Sequence, residues 1–238
     1  MIIQACINGA RLIDYHPKLP LTPETMARDA ARAVAAGAAE LHIHPRGIDG
    51  RESLAAVDDT IDAVRRACPG SLLGVSTGAW IEGDDRRTLE AIRRWSVLPD
   101  YASVNLSESD APSIMALLRQ KGIGIEAGLA SVADAERYIG LEGHEHVFRI
   151  LVELDNEADL QAAIDVGEEI IARLQRANVR RPILLHGFDA TVWPFVRLAK
   201  ERCYSTRVGL EDGKLLPSGE VAANNAELVA AAVAIFRG

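Results

Sequence analysis

The feature that most constrains this chain is a repeated alternation of short apolar runs with longer alanine-rich runs. Short apolar runs bounded by turn residues are typical of buried strands, and they occur at residues 2–7, 39–43, 72–75, 101–104, 123–125, 147–154, 182–185 and 204–208. The longer runs predict helices at residues 23–36, 53–67, 84–95, 109–121, 131–139, 157–177, 191–201 and 224–236. Because strands that alternate with helices form a parallel sheet, eight such units predict a closed (β/α)8 barrel, the TIM barrel.

The same pattern indicates a single domain. A chain of 238 residues has the length that one barrel of this kind needs. No linker or change of composition divides the sequence, so we expect one barrel domain over residues 1–238. A doubly wound open sheet is the alternative, but no Gly-x-Gly-x-x-Gly motif opens a helix.

Charge and cysteine content narrow the class of protein. The formal net charge of −8 disfavours non-specific binding to the nucleic-acid backbone. Three cysteines without paired spacing fit a reducing compartment better than a disulfide framework. The sequence has no apolar stretch of about 18 residues and no basic N-terminal region of a signal peptide. We therefore expect a cytoplasmic protein without nucleic-acid or membrane partners.

Two histidines, His42 and His44, stand at the end of the predicted second strand. Alternate strand residues share a face, so the imidazoles project together from roots about 7 Å apart. This spacing alone also fits two core histidines satisfied by hydrogen bonds. Catalytic groups lie at the carboxyl ends of barrel strands, and two imidazoles with one carboxylate form a typical catalytic zinc site. Glu211 could supply that carboxylate if closure of the barrel brings it near; otherwise Glu211 and Asp212 form a solvated acidic turn.

Other polar residues follow the remaining strands. Ser76, Thr77, Ser103 and Asn105 are short hydrogen-bonding residues at two neighbouring strand ends, where they suit a carboxylate, although each alone is more often a cap or turn residue. Arg207 can form a bidentate pair with Asp212 or with an acidic substrate.

Histidines elsewhere are weaker candidates. A second His-x-His, at His144 and His146, precedes a predicted strand, so we expect it at the opposite, surface-exposed end of the barrel. His186 ends the seventh strand and is a candidate for lining the pocket.

Taken together, these motifs resemble those of the β-keto acid cleavage enzymes. The resemblance runs through most of the chain and includes Asn8-Gly9-Ala10, Pro20-Leu21-Thr22-Pro23-Glu24, Ala36-Gly37-Ala38, His42-Ile43-His44-Pro45-Arg46, Ser76-Thr77-Gly78, Ser103-Val104-Asn105 and Arg207-Val208-Gly209-Leu210-Glu211-Asp212. It implies a zinc-dependent (β/α)8 barrel that exchanges a β-keto acid with acetyl-CoA and yields acetoacetate and a new acyl-CoA. It also implies a homo-oligomer, commonly a tetramer.

The resemblance further implies roles for individual residues. His42, His44 and Glu211 would bind zinc, and a site of this kind also accepts other divalent transition metals. The substrate carboxylate would be held by Ser76, Ser103 and Asn105, and Thr77 beside Ser76 remains a candidate from its place at the strand end. Asp212, oriented by Arg207, would be the general base, and Glu126 would shape the pocket.

Departures from the family pattern bear on the substrate. Gly47 stands where members usually have an acidic residue, and Arg11 stands where the family's namesake has a glutamate that meets the substrate's amino group. We expect Arg11 to favour a substrate whose far end is anionic or neutral. The resemblance covers the loops that bind CoA less well than the barrel.

Two other functions compete with this interpretation. A metal-dependent hydrolase on the same barrel is disfavoured, because such enzymes often carry their His-x-His on the first strand and a histidine after a middle strand, whereas the fifth strand here ends in Glu126. A non-catalytic ligand-binding relative is disfavoured by the presence of Asp212 beside Glu211, together with Arg207.

Overall fold

Eight parallel strands form the centre of the protein in a computed structural model, which describes residues 1–154 and 159–238. The strands are β1 Ile3–Cys6, β2 Glu40–Ile43, β3 Leu72–Ser76, β4 Tyr101–Asn105, β5 Gly124–Leu129, β6 Arg149–Leu154, β7 Ile183–Gly187 and β8 Thr206–Val208. Their order in the sheet is β7-β6-β5-β4-β3-β2-β1-β8, with every pair parallel. The predicted (β/α)8 barrel is therefore confirmed.

The first strand determines which loops meet. In β1, Cys6 lies opposite His42 of β2, and Gln4 lies opposite Arg207 of β8. The gap between β7 and β8 is bridged through Ser205, which accepts a hydrogen bond from the Leu185 amide at 2.9 Å. The loops that follow β2 and β8 therefore flank the loop that follows β1.

Helices pack around this barrel and connect its strands. They are α1 Pro23–Ala35, α2 Val57–Ala67, α3 Ala79–Glu82, α4 Asp85–Arg94, α5 Ala111–Gln120, α6 Val132–Gly140, α7 Leu160–Arg176, α8 Val192–Glu201 and α9 Asn225–Arg237. α1 begins as the sequence predicts, with Thr22 as N-cap and Pro23 in the first turn. Within the described residues, no helix has the length and apolar character needed to cross a membrane.

Several element boundaries differ from the predictions. β5 continues to Leu129 beyond the predicted end at residue 125, because residues 126–129 pair with β6 and β4. β6 begins at Arg149 because a short 3-10 turn, His144–His146, precedes it. The short helix α3 was not predicted, since four residues show no helical periodicity. The predicted helix start at Glu157, and Asp155 after β6, lie outside the described residues.

A buried charged cluster fills the barrel beneath the carboxyl ends of the strands. Arg149 on β6 forms ion pairs with both Glu40 on β2 and Glu126 on β5. Gln4 donates a hydrogen bond to the Tyr101 hydroxyl at 2.8 Å, and that hydroxyl donates to a backbone oxygen of β2. The interior of the barrel is thus partly polar, and its charges are paired.

Candidate active site

A cavity of about 560 Å³ opens at the carboxyl ends of the strands. This is the end of a (β/α)8 barrel at which catalytic groups are found. Its lining mixes charged, hydroxyl and aromatic side chains: Ala10, Arg11, His42, His44, Ser76, Trp80, Ser103, Asn105, Leu151, Glu153, Phe188, Asp189, Arg207 and Glu211.

His42, His44 and Glu211 converge on one side of this cavity. The Nε2 atoms of the two histidines lie 3.1 Å apart. Oε1 of Glu211 lies 3.8 Å from Nε2 of His42 and 3.5 Å from Nε2 of His44. All three side chains are at most 10% exposed. The carboxylate after β8 therefore reaches the histidine pair on β2, as closure of the barrel predicts.

The donor set and the unpaired oxygen of Glu211 fit a divalent cation. Oε2 of Glu211 is buried without a hydrogen-bond partner among the described residues. Burial lowers the pKa of His42 to about 3, which leaves its ring neutral. Burial opposes the charge of His44 too, but the carboxylates of Glu211 and Glu52 raise the pKa of His44 to about 9. Two imidazoles and a carboxylate are typical ligands of zinc and related metals.

Arg207 and Asp212 form a buried pair beside these three residues. Oδ1 of Asp212 accepts hydrogen bonds from Nε and Nη2 of Arg207 at 3.1 and 2.6 Å, and Nη2 also contacts Glu211 at 2.5 Å. Asp212 is fully buried and does not itself line the cavity, and its Oδ2 atom has no partner among the described residues. Burial raises the pKa of Asp212 although Arg207 acts in the opposite direction. Of the two predicted partners for Arg207, the structure therefore shows Asp212.

Two glycines allow the loops after β1 and β8 to approach this closely. A Cβ atom on Gly209 would lie 1.9 Å from the backbone oxygen of Cys6. Gly9 has φ +54, and a Cβ atom there would lie 2.3 Å from Cγ of Glu211. Side chains at either position would push Glu211 away from the histidines.

The predicted carboxylate-binding residues divide into two groups. Ser76, Ser103 and Asn105 line the cavity. Thr77 does not, because its hydroxyl donates to the Ser103 backbone oxygen at 2.7 Å and joins β3 to β4. Glu126 is also absent from the lining, since it is fully buried beneath the cavity against Arg149.

Arg11 lines the cavity, but its charge is already paired. Nη2 contacts Asp189 at 2.9 Å, and Nε donates to the Glu211 backbone oxygen at 2.9 Å. The guanidinium also lies 4.3 Å from the centre of the Tyr15 ring. Since Asp189 lines the cavity as well, this part of the wall presents both a cation and an anion.

Sequence reasoning missed several residues of the site. Trp80, Phe188 and Asp189 line the cavity, although no motif in the sequence indicated them. Glu52 contacts Nδ1 of His44 at 2.5 Å. Gly47 and Gly50 flank Ile48 and Asp49, and this turn signal could have predicted that the chain brings Glu52 back towards His44. His186, a predicted lining residue, is 1% exposed and does not line the cavity.

The second His-x-His lies away from the cavity. His144 and His146 precede β6, at the end of the barrel opposite the cavity, and the His146 side chain is 66% exposed, as predicted for a surface position.

Comparison with known proteins identifies the family of this chain. The profile of the beta-keto acid cleavage enzyme family matches residues 1–238. Two curated relatives, the 3-keto-5-aminohexanoate cleavage enzymes of Acetoanaerobium sticklandii and Fusobacterium nucleatum, are each 33% identical over 108 residues. That stretch is 44% of this chain and spans 38% and 39%, respectively, of the two relatives.

A solved structure shares the barrel. It is described as a ternary complex of ObcA with a C4-CoA adduct and oxalate, and it is 18% identical, with a TM-score of 0.73. The match covers 90% of this chain and 62% of that one, so it supports the fold. Because the family profile extends over residues 1–238, this chain belongs to the β-keto acid cleavage enzyme family.

Proposed function

We propose that the protein is a zinc-dependent enzyme that exchanges a β-keto acid with acetyl-CoA and yields acetoacetate and a new acyl-CoA. The observation that carries this proposal is the meeting of His42, His44 and Glu211 beside the buried pair of Arg207 and Asp212. The names of the curated relatives support the β-keto acid, and the CoA adduct bound to ObcA supports the thioester.

Substrate binding would use two sides of the cavity. A β-keto acid carries a ketone and a carboxylate separated by one carbon. Zinc, or another divalent metal, held by His42, His44 and Glu211 would act as a Lewis acid towards the ketone oxygen. The hydroxyls of Ser76 and Ser103 and the amide of Asn105 would donate hydrogen bonds to the carboxylate.

Proton transfer would fall to Asp212. Its Oδ1 atom is held by Arg207, so Oδ2 is the oxygen left to accept a proton. Asp212 would take this proton from the carbon between ketone and carboxylate, which frees that carbon to attack the thioester of acetyl-CoA with release of the CoA thiolate. The thiolate then attacks the original ketone carbon and breaks the old carbon–carbon bond, and Asp212 returns the proton to acetoacetate. A base raised in pKa by burial is suited to this work.

The test is an acetoacetate-forming assay with acetyl-CoA and a panel of β-keto acids, together with the metal content of the purified protein. We expect turnover that requires CoA, about one metal per chain, and loss of both in a His42→Ala, His44→Ala double variant. Hydrolysis without CoA would instead indicate a metal-dependent hydrolase. Ligand binding without turnover would indicate a non-catalytic relative.

Glu153 provides a control for the base. Its side chain lines the cavity and is 20% exposed, whereas Asp212 is buried. We expect Asp212→Asn to lower kcat by at least a hundredfold and Glu153→Gln to have a smaller effect. The opposite ranking would assign the base to Glu153.

Arg11 is the residue that we expect to set substrate preference. Arg11→Glu should shift preference away from β-keto acids with an anionic far end, and unchanged preference would remove Arg11 from the specificity determinants.

We also propose that the chain acts in the cytoplasm as one barrel domain and assembles as a homo-oligomer, with four subunits as the family resemblance implies. Light scattering of the purified protein measures the number of subunits.

A further inference from the structure

The loop between β2 and α2 is a tight hairpin that returns Glu52 to the level of His44. Arg46 and Glu52 form an antiparallel bridge. The Gly47 amide donates to the Arg51 backbone oxygen at 2.8 Å, and the Ser53 amide donates to the Pro45 backbone oxygen at 3.0 Å. The backbone on both sides of Glu52 is thus held by hydrogen bonds.

Glu52 uses one carboxylate oxygen for each of two nitrogen donors. Oε1 lies 2.5 Å from Nδ1 of His44, and Oε2 accepts a hydrogen bond from Nε1 of Trp80 at 2.9 Å. The Glu52 side chain is 10% exposed, so water competes little for these contacts. Trp80 is 53% exposed and lines the cavity.

These contacts determine which ring nitrogen of His44 faces the candidate cation site. When Nδ1 donates to Glu52, Nε2 is left to point at its neighbours, and it lies 3.1 Å from Nε2 of His42 and 3.5 Å from Glu211. His42 has no equivalent partner on its own Nδ1 among the described residues. Carboxylates that accept from the second nitrogen of a ligating histidine fix its tautomer and its orientation.

We propose that Glu52 is a positioning residue that fixes the ring of His44, and that Trp80 holds Glu52 in place from the cavity wall. The proposal rests on the proposed function only in taking His44 as a metal ligand. Trp80 would then have two roles: it lines the cavity, and its Nε1 atom donates to Glu52, the residue that orients His44. Removing either contact should loosen the site without removing a ligand.

Zinc affinity of the metal-stripped protein, measured by competition with a chromophoric chelator, tests this inference. We expect Glu52→Met, which lacks an acceptor oxygen, to weaken zinc binding by about 10–100-fold. Glu52→Gln keeps an acceptor oxygen and should lose less, and Trp80→Phe should lose least. Asp49→Asn is the matched control, because Asp49 lies exposed in the same hairpin and its Oδ1 contacts the Arg51 amide. Zinc affinity in Glu52→Met equal to that of the control would overturn the proposal.

A crystal structure of metal-stripped Glu52→Met separates this inference from the proposed function. We expect the His44 ring to leave the orientation seen here or to occupy two, while the thermal unfolding temperature stays near that of Asp49→Asn. An unmoved His44 ring would overturn the positioning role even if zinc binds normally to the unmodified protein. If the unmodified protein binds no zinc but the ring still moves in the variant, the proposed function fails and the positioning role stands.

Discussion

Replacing Arg149 with methionine tests whether the charged cluster in the barrel is held together by its single cation. The Arg149 side chain pairs with Glu40 and Glu126, and the three side chains are 5%, 5% and 0% exposed. Its guanidinium carbon also lies 4.8 Å from the centre of the Tyr101 ring. Methionine keeps most of the volume and removes the charge, so two carboxylates would remain buried without a partner.

The expected cost follows from this burial. Removing one member of a buried ion pair destabilises a protein by about 3–5 kcal/mol, because the remaining charge stays desolvated. For a protein of this size, each kcal/mol lowers the unfolding temperature by about 2–4 °C, so the expected loss is about 6–20 °C. A variant that also carries Glu40→Gln and Glu126→Gln should recover part of this loss, since no unpaired charge is then buried.

The loss should depend on pH in a defined direction. Burial raises the pKa of Glu40 even with Arg149 present. Burial also acts to raise the pKa of Glu126, but the charge of Arg149, with that of Arg207, holds it below its ordinary value. Without Arg149 both folded-state pKa values should exceed those of the unfolded chain. The folded variant would then bind protons more tightly, so its deficit is largest at pH 8 and shrinks as the pH falls towards 5.

Urea unfolding followed by circular dichroism, at pH 8 and pH 5.5, measures these differences. Arg173→Met is the control, because Arg173 on α7 forms ion pairs that are exposed to solvent and screened by water, so we expect a much smaller loss there. A loss in Arg149→Met no greater than in this control, or a deficit that grows as the pH falls, would refute the reasoning.

Four further substitutions test how the site is supported. Asn8→Ala should cost about 2–4 kcal/mol in urea unfolding, because the buried Asn8 amide exchanges hydrogen bonds of 2.8 and 2.9 Å with the backbone of His44; a loss below about 1 kcal/mol would contradict this. Gly209→Ala should weaken zinc binding at least tenfold, since its Cβ atom would lie 1.9 Å from a backbone oxygen of β1, and unchanged binding would contradict the close approach of the two loops. Thr77→Val should lower stability by about 1 kcal/mol and leave KM for the β-keto acid unchanged, whereas Ser103→Ala should raise KM; an equal rise in both would restore Thr77 to the substrate site.

The meeting of His42, His44 and Glu211 could be predicted because it follows from topology. The alternation of elements predicts a closed barrel, and closure makes the second and eighth strands neighbours of the first. Positions far apart in sequence thus become adjacent without any knowledge of side-chain packing. Local signals, such as Thr22 and Pro23 before α1, were also sufficient for the start of that helix.

Residues whose roles depend on a partner from another strand were harder to predict. Glu126 resembles a pocket carboxylate when read after Ile125, but its partner Arg149 lies on β6, and β5 continues past it to Leu129. Thr77 could have been separated from Ser76, because consecutive residues of an extended segment point in opposite directions. Glu52 required the hairpin geometry of its loop, which composition alone does not determine.

The position of β1 between β2 and β8 has a consequence for the stability of the folded protein and its resistance to proteolysis. A cation bound by His42 and His44 at the end of β2 and by Glu211 after β8 would link an early part of the chain to a late one across β1. This link can form only once β8 has paired with β1. When the free metal concentration is a thousand times the dissociation constant of the metal, binding would add about 4 kcal/mol to the stability of the folded state. Removal of the metal by a chelator should therefore expose the loop after β8 to proteases first, and α9 should be among the first elements released.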